Sequence, residues 1–458
     1  MIYQKIKLFI AKIGQHNRTI FSAAALIAII TFAVKFVAML KELVVASHFG
    51  TSEVLDVFLI AYLIPSFAIS IFAGNFSAAV IPPFIEIRKQ NGAEAAKRYL
   101  ATTMVITLGL LSMIAAILAL SGPLALNLLS SNLSAETQSL SLSLYFILLP
   151  IIMLAGIVDI FSALLKAEKK FILAAFTPML VPLTVLFSLL ILSSDIGIYA
   201  YAYGEFFGSL AGIVLLAIGL KKYNLFVYPK WYGIDNNVRQ TMSQYIPLIS
   251  SSMIICSAPV IDIVMASTLE PGSVSSLTYG NKITTVILSI SSIALVSSLL
   301  PYFSSMVANK EWKSVQHTIN FFMKTVFITT IPMMIVFMLF SEQITRLLFE
   351  RGEFTGQDTL VVSQIFFFYL LQMPFFIADM IWISLIYALK VNQILLLGNI
   401  ITIILNIAGN YFFMQIWGIA GIALSTALVL FISFIYLTIT ARRALARAIQ
   451  ASPEQGVQ

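Results

Sequence analysis

Lys35, Lys41 and Lys282 lie inside long apolar runs of this 458-residue chain. A charge at the centre of a lipid-crossing helix costs about 2.5–3.5 kcal/mol on insertion scales, so it normally faces a partner or a watery cavity. Two arrangements satisfy these amines. Each is neutralised by a carboxylate within the spans, drawn from Glu42, Asp56, Asp159, Glu205, Asp262 and Asp379, or together they line a water-filled cavity that takes an anion. A pyrophosphate group needs such a cluster, because its charge must be compensated at every stage of a crossing. About 600° of helix rotation separates Lys35 from Lys41, so the two share a face only if the helix bends. Lys324 sits near a helix end, where its long stem lets the amine reach water.

A second constellation is made of oxygen donors. Asn406 and Asn410 are one helical turn apart and share a face, Thr426 lies on the next span, and Asp262 lies on the span that opens the C-terminal half. A carboxylate, two amide oxygens and a hydroxyl are hard ligands of the kind that alkali cations prefer. These four are therefore candidate Na+ ligands, with Na+ or H+ coupling as the expectation and no other cofactor. The single cysteine, Cys256, excludes an internal disulfide, and His16, His48 and His317 have no metal-ligand spacing.

The elements that must position these groups are transmembrane helices. The chain is 60% hydrophobic and 10% charged, against about 25% charged in a soluble domain. Apolar runs long enough to cross roughly 30 Å of hydrocarbon fall near 19–47, 54–84, 99–120, 140–165, 171–192, 196–219, 243–268, 273–306, 317–340, 360–387, 394–414 and 418–440. Prolines at 65, 178, 182, 247, 259, 332 and 374, with Gly74, mark expected kinks or breaks. No small-residue cleavage site follows the basic, amphipathic stretch from Met1 to Arg18, so no cleavable signal peptide is expected.

Charge sets the orientation. Of the 27 Lys and Arg residues, those between spans gather on one side, at Arg88, Lys97, Lys166, Lys221, Lys310, Lys390 and Arg442 among others. Only Arg346 and Arg351 fall opposite. By the positive-inside rule both termini are cytoplasmic. The net charge of +7 follows from these loops, and no basic segment is interleaved with aromatics as nucleic-acid binding would require.

The chain repeats itself. Residues 261–303 (IDIVMASTLEPGSVSSLTYGNKI…SSLLPYF) echo 41–84, SLIYALKVNQIL (384–395) echoes SALLKAEKKFIL (162–173), and WGIAGIALS near 417 echoes IGIYAYAYG near 196. The reading is an all-α polytopic membrane protein, with 12 helices in two pseudo-symmetric six-helix lobes around a central cavity. Its parts are a basic cytoplasmic N-terminus (1–18), an N-lobe (19–220), a cytoplasmic linker (221–240), a C-lobe (241–441) and a cytoplasmic tail (442–458).

At these residues the chain resembles a known family. KFVAMLKELVVASHFGTSEVLDVFLIAYLIPSF…FSAAVIPPF, EPGSVSSLTYGNKI, LLFERGEFTGQDT (347–359) and GIAGIALSTAL (418–428) are similar to strings of the MurJ/MviN lipid II flippases, within the MOP exporter superfamily that also holds the MATE transporters. The resemblance implies flipping of an undecaprenyl-pyrophosphate-linked cell-wall precursor from inner to outer leaflet of a bacterial inner membrane. It implies alternating access, driven by membrane potential or an ion gradient, by a monomer whose partners are the lipid-linked glycan and membrane lipid. Lys35, Lys41 and Lys282 fall on the family's cationic cavity positions, Glu42 and Asp56 on its acidic gating positions, and Asp262, Asn406, Asn410 and Thr426 near its sodium site. The family's cavity cations are usually arginines, Asn410 stands where a carboxylate is expected, and many members add two helices after the twelfth. These departures leave room for a Wzx-like flippase of another polyprenyl-linked oligosaccharide.

Other classes fit less well. A MATE-like drug exporter favours acidic cavity residues. An enzyme needs a catalytic constellation on a sizeable loop, but the loops at 121–139 and 341–359 are short, and Glu350, Glu353 and Asp358 have no partner histidine.

Overall fold

The computed structural model describes residues 15–129 and 135–450. The N-terminal basic stretch through residue 14 and the tail from 451 lie outside the described residues. Long apolar runs have one way to satisfy their backbone in lipid without a partner strand, and that is the helix. Accordingly the described residues are helical between short turns, with no strand among them. By length and composition, nine helical stretches among the described residues could cross a membrane. One of them, Glu53–Asn127, is broken at Gly92 (φ 86°, ψ 175°).

In chain order the helices are α1 (Gln15–Phe49), α2 (Glu53–Ala68), α3 (Phe76–Leu129), α4 (Ala135–Leu148), α5 (Ile151–Ala167), α6 (Phe171–Phe176), α7 (Leu180–Ile196) and α8 (Tyr199–Lys222). There follow α9 (Asn236–Ala266), α10 (Ser273–Ala308), α11 (Trp312–Leu339), α12 (Ser341–Phe349), α13 (Gly356–Leu370), α14 (Met373–Leu389), α15 (Gln393–Trp417) and α16 (Ile419–Gln450). Some expected breaks occur: a π turn at Ile69–Ala73 follows Pro65, a 3-10 turn at Thr177–Met179 holds Pro178, and Pro374 opens α14. Others do not. Pro247 and Pro259 lie within α9 and Pro332 within α11, all in unbroken helix.

The chain forms two compact units. The first comprises Met1–Val45, Ile64–Ala125 and Leu142–Ile249. Its core is built from Phe76, Val80, Tyr99, Ile160, Leu164 and Leu216, and the Tyr99 and Thr241 hydroxyls share a hydrogen bond of 2.7 Å. Within it α8 packs closely on α7: a Cβ added at Gly204 or Gly208 would meet the Cα of Val185 or Val181 at 2.6 Å. Small residues allow such backbone approach in the absence of a hydrophobic driving force.

The second unit comprises Ala46–Leu63, Leu126–Ser141 and Ser250–Gln458. Its core gathers Phe303, Met373, Ile381, Trp382, Leu385 and Leu437. Backbone geometry recurs at the spacing of the sequence repeat. Lys169 and Lys390, which follow α5 and α14, both have φ 59°, and Gly197 and Gly418, which precede α8 and α16, have φ 55° and 54°. At the two lysines the next N–H returns to a carbonyl five residues back, Lys170 to Leu165 (2.7 Å) and Val391 to Ile386 (3.2 Å). This is the C-terminal motif that closes a helix on a left-handed residue.

Candidate functional site

In the first unit Lys41 is drawn into a buried cluster. Its Nζ lies 3.1 Å from Glu42 Oε1 and 3.6 Å from Glu205 Oε1, and it donates to the Tyr201 hydroxyl at 2.9 Å. The four side chains are all buried, Lys41 at 8% exposure and Glu205 at 6%. The cause is the apolar surrounding: a charge withdrawn from water needs a counter-charge and hydrogen bonds in good geometry. Glu205 and Tyr201 lie one turn apart on α8, so they meet the amine together. Of the two arrangements open to an in-span lysine, Lys41 takes the neutralised one. Lys35, two turns earlier on α1, is exposed and makes no ion pair among the described residues. Lys282, on α10 in the second unit, is also exposed.

The first unit holds another carboxylate, the half-buried Asp159 on α5. Ser77, in the first turn of α3, donates its backbone N–H to Oδ2 (3.1 Å) and its hydroxyl to Oδ1 (2.9 Å). Asp159 thus satisfies orphan donors of a helix start.

Asp56 does the same in the second unit with residues far along the chain. The backbone N–H groups of Gly272 and Ser275 donate to it at 2.7 Å each, and that of Val274 at 3.4 Å. The carboxylate therefore caps the start of α10, where free N–H groups and the helix dipole favour negative charge. Gly272 has φ 89° and a Cβ there would strike the Thr51 carbonyl, so a glycine is required. The same turn is held from another side. The Glu353 N–H donates to the Ser47 carbonyl at 2.9 Å, Gly352 (φ 60°) has no room for a Cβ against that carbonyl, and the Thr51 hydroxyl donates to Asp358. Asp358 also forms the capping box of α13 with Thr355. This clasp of residues 47–56 by 272–275 and 353–358 had no counterpart in the sequence reading beyond Asp56 itself.

The four candidate cation ligands do come together, all in the second unit. Asp262 Oδ1 accepts from Asn410 Nδ2 at 2.7 Å and Asn406 Nδ2 at 3.1 Å, and Oδ2 accepts from the Thr426 hydroxyl at 3.4 Å. Asp262, Asn406 and Asn410 are buried. Asn410 Oδ1 is buried without a hydrogen-bond partner, an acceptor left over once Asp262 has taken its donors. Turning either amide about its terminal bond presents oxygen where nitrogen now stands. The set then offers carboxylate, amide and hydroxyl oxygens, which suits an alkali cation. Among the described residues no group of three or more His, Cys, Asp or Glu could hold a metal, so the donor set is not one for a transition metal.

One buried carboxylate stands apart. Among the described residues Asp379 on α14 accepts only from the Ser433 hydroxyl, at 3.1 Å to Oδ2, and its Oδ1 is buried with no partner.

The comparisons with known proteins agree across the whole chain. The family model described as lipid II flippase MurJ matches residues 45–455. A protein named probable lipid II flippase MurJ from Buchnera aphidicola subsp. Baizongia pistaciae is 24% identical over 90% of this chain and 81% of its own length. One of the same name from Helicobacter pylori strain J99 is 27% identical over 84% of this chain and 86% of its own. Among solved structures, a lipid II flippase MurJ in an inward closed conformation superposes with a TM-score of 0.77 at 23% identity, covering 93% of this chain and 90% of that one. An inward-facing MATE-family transporter of the MOP superfamily reaches 0.74 at 14% identity, covering 93% and 99%. The two likenesses show a shared fold, that of multi-pass membrane transporters. With its family model spanning nearly the full chain, this protein belongs to the MurJ lipid II flippase family, a family of transporters and not of enzymes.

Proposed function

We propose that the chain flips a polyprenyl-pyrophosphate-linked cell-wall precursor of the lipid II type from the inner to the outer leaflet. The observation that carries this reading is the family match over residues 45–455, joined to lysines at in-span positions where a neutral cargo would need none. Lys35 and Lys282 are exposed on their helices and serve as diphosphate contacts. Lys41 joins them only when Glu42 or Glu205 lets go, so the cargo's phosphates compete with carboxylates for its amine. Both termini face the cytoplasm, following the basic loops. Access alternates between leaflets, and Asp56 with its clasp acts as a gate that must open once per cycle. Asp262, Asn406, Asn410 and Thr426 bind Na+, which couples the cycle to an ion gradient.

The test is rescue of a strain depleted of its lipid II flippase, beside a strain lacking an oligosaccharide-unit flippase. Rescue of the first supports the reading. Rescue of the second alone favours another polyprenyl-linked glycan, for which lysines in place of the family's usual arginines are the specific support. Lysine keeps the charge but gives up the two-pronged grip on phosphate. Rescue of neither strain refutes both.

A further inference from the structure

Compared side by side, the buried carboxylates of this protein solve one problem in different ways. Glu42 and Glu205 share the Lys41 ammonium. Asp56 takes three backbone N–H groups. Asp159, half-buried, has a donor on each oxygen from Ser77. Asp262 has donors on both oxygens from two amides and a hydroxyl. Asp379 has, among the described residues, a single neutral donor, and its other oxygen is buried with no donor.

The neighbourhood offers no counter-charge. Asp379 is 4% exposed. Among the described residues none of the basic side chains on helices packed against α14 pairs with it: neither Lys282 on α10, nor Lys313, His317 and Lys324 on α11, nor Arg442, Arg443 and Arg447 on α16. Helix α15 carries no charged residue. An ionised carboxylate buried with one hydroxyl for company is far outside what low-dielectric surroundings tolerate, and such groups neutralise instead. Three more polar atoms on the same helices are buried without partners among the described residues: Trp382 Nε1 one turn along α14, Thr438 Oγ1 on α16 beyond Ser433, and Ser425 Oγ on α16 before it. Arg442 lies over the Trp382 ring, 5.9 Å from its centroid. Unpartnered polar atoms thus lie along this helix pair on either side of Asp379.

We infer that Asp379 is a proton-binding site of the second unit, separate from the Asp262 cluster. It holds a proton in the arrangement described here, and a rearrangement of α14 against α16 that supplies a donor or water to Oδ1 releases it. The carboxylate gains one proton and no other bond changes. A transporter built this way moves a proton with the second unit, independently of the lipid it carries.

The experiment is infrared difference spectroscopy on the purified full chain in lipid vesicles without any lipid-linked glycan, so that its outcome stands apart from the proposed function. A carboxylic C=O band is followed from about pH 5 to about pH 8, above the range where exposed carboxylates titrate. The expected result is a band present at the acid end of this range that is lost in Asp379→Asn and is kept in Asp262→Asn. An unchanged band in Asp379→Asn overturns the inference. So does loss of the wild-type band on adding NaCl but not choline chloride, which would make Asp379 a cation ligand. Asn copies the neutral acid and not the carboxylate, so Asp379→Asn must fold as wild type does. A variant that unfolds would show that the aspartate is ionised, and the inference fails.

Discussion

The amine of Lys41 lies 3.6 Å from the carboxylate of Glu205, a residue of another helix that the sequence offered only as one of six in-span acids. With Glu42 at 3.1 Å on the other side, this amine is spoken for before any cargo arrives. Its first contribution is therefore to stability. Lys41→Ala takes from Glu42 and Glu205 the ammonium they share, and breaking such a buried pair costs about 3–5 kcal/mol. Thermal unfolding in detergent should show a large drop for Lys41→Ala. The triple variant Lys41→Met, Glu42→Gln, Glu205→Gln should regain most of it. A single variant as stable as wild type would remove the cluster from the account.

Lys35 and Lys282 should behave in the opposite way. Both are exposed on their helices, so alanine leaves the fold intact and removes a charged hydrogen bond to diphosphate worth about 1.5–3 kcal/mol. Transfer of a fluorescent polyprenyl diphosphate between leaflets of vesicles should fall about ten- to a hundredfold in either variant. Arginine at the same positions should retain transport, since its planar fork suits phosphate at least as well. Full activity in both alanine variants would rule out the anion contacts.

The clasp around Asp56 makes a backbone prediction. Gly352 combines φ 60° with a Cβ direction blocked by the Ser47 carbonyl, and the adjacent Glu353 N–H bonds that same carbonyl at 2.9 Å. Gly352→Ala should cost about 1–3 kcal/mol through local strain. Thiol labelling of Ser47→Cys in that background should run faster than in the parent, reporting a loosened turn. Equal labelling rates would mean that the turn does not depend on this contact.

Sodium should stabilise the protein through the Asp262 cluster. A cation that binds only the folded state at about a hundred times its Kd adds about 2.7 kcal/mol. Unfolding temperature should rise with NaCl and not with choline chloride, and Asp262→Ala should abolish the difference. Asn410→Asp sets a second carboxylate against the first. It should lower stability without Na+ and enlarge the response to it. A salt response that survives Asp262→Ala would place the ion elsewhere.

What could be read from residues alone divides along a physical line. Buried charges are legible because their cost forces an explanation, and Lys41, Asp56 and Asp262 were all found that way. Asn406 and Asn410 were legible as a pair because helical spacing puts them on one face, and the structure bonds both amides to Asp262. The repeat was legible as well, though the left-handed residues at Lys169 and Lys390 fall one position out of the register that 162–173 and 384–395 suggest. Partners supplied by the backbone were not. Every residue carries an N–H, so nothing in GSVSS distinguishes the three amides that Asp56 receives from any others. Choice among like acids was equally hidden: nothing in the charges themselves says which helix brings its glutamate to Lys41. The prolines at 247, 259 and 332 do not end their helices, since α9 and α11 continue through them.

The π turn at Ile69–Ala73 separates what the chain does on either side of it. It lies inside the first unit, after Pro65, and just beyond it Ser77 gives its donors to Asp159 of that same unit. A π turn adds one residue to the helical ladder, which resets the angular phase by about 100°. One membrane-crossing segment therefore carries two independent stripes. Drift in the composition of either stripe leaves the alignment of the other untouched, so the ends of this segment are free to evolve under separate constraints.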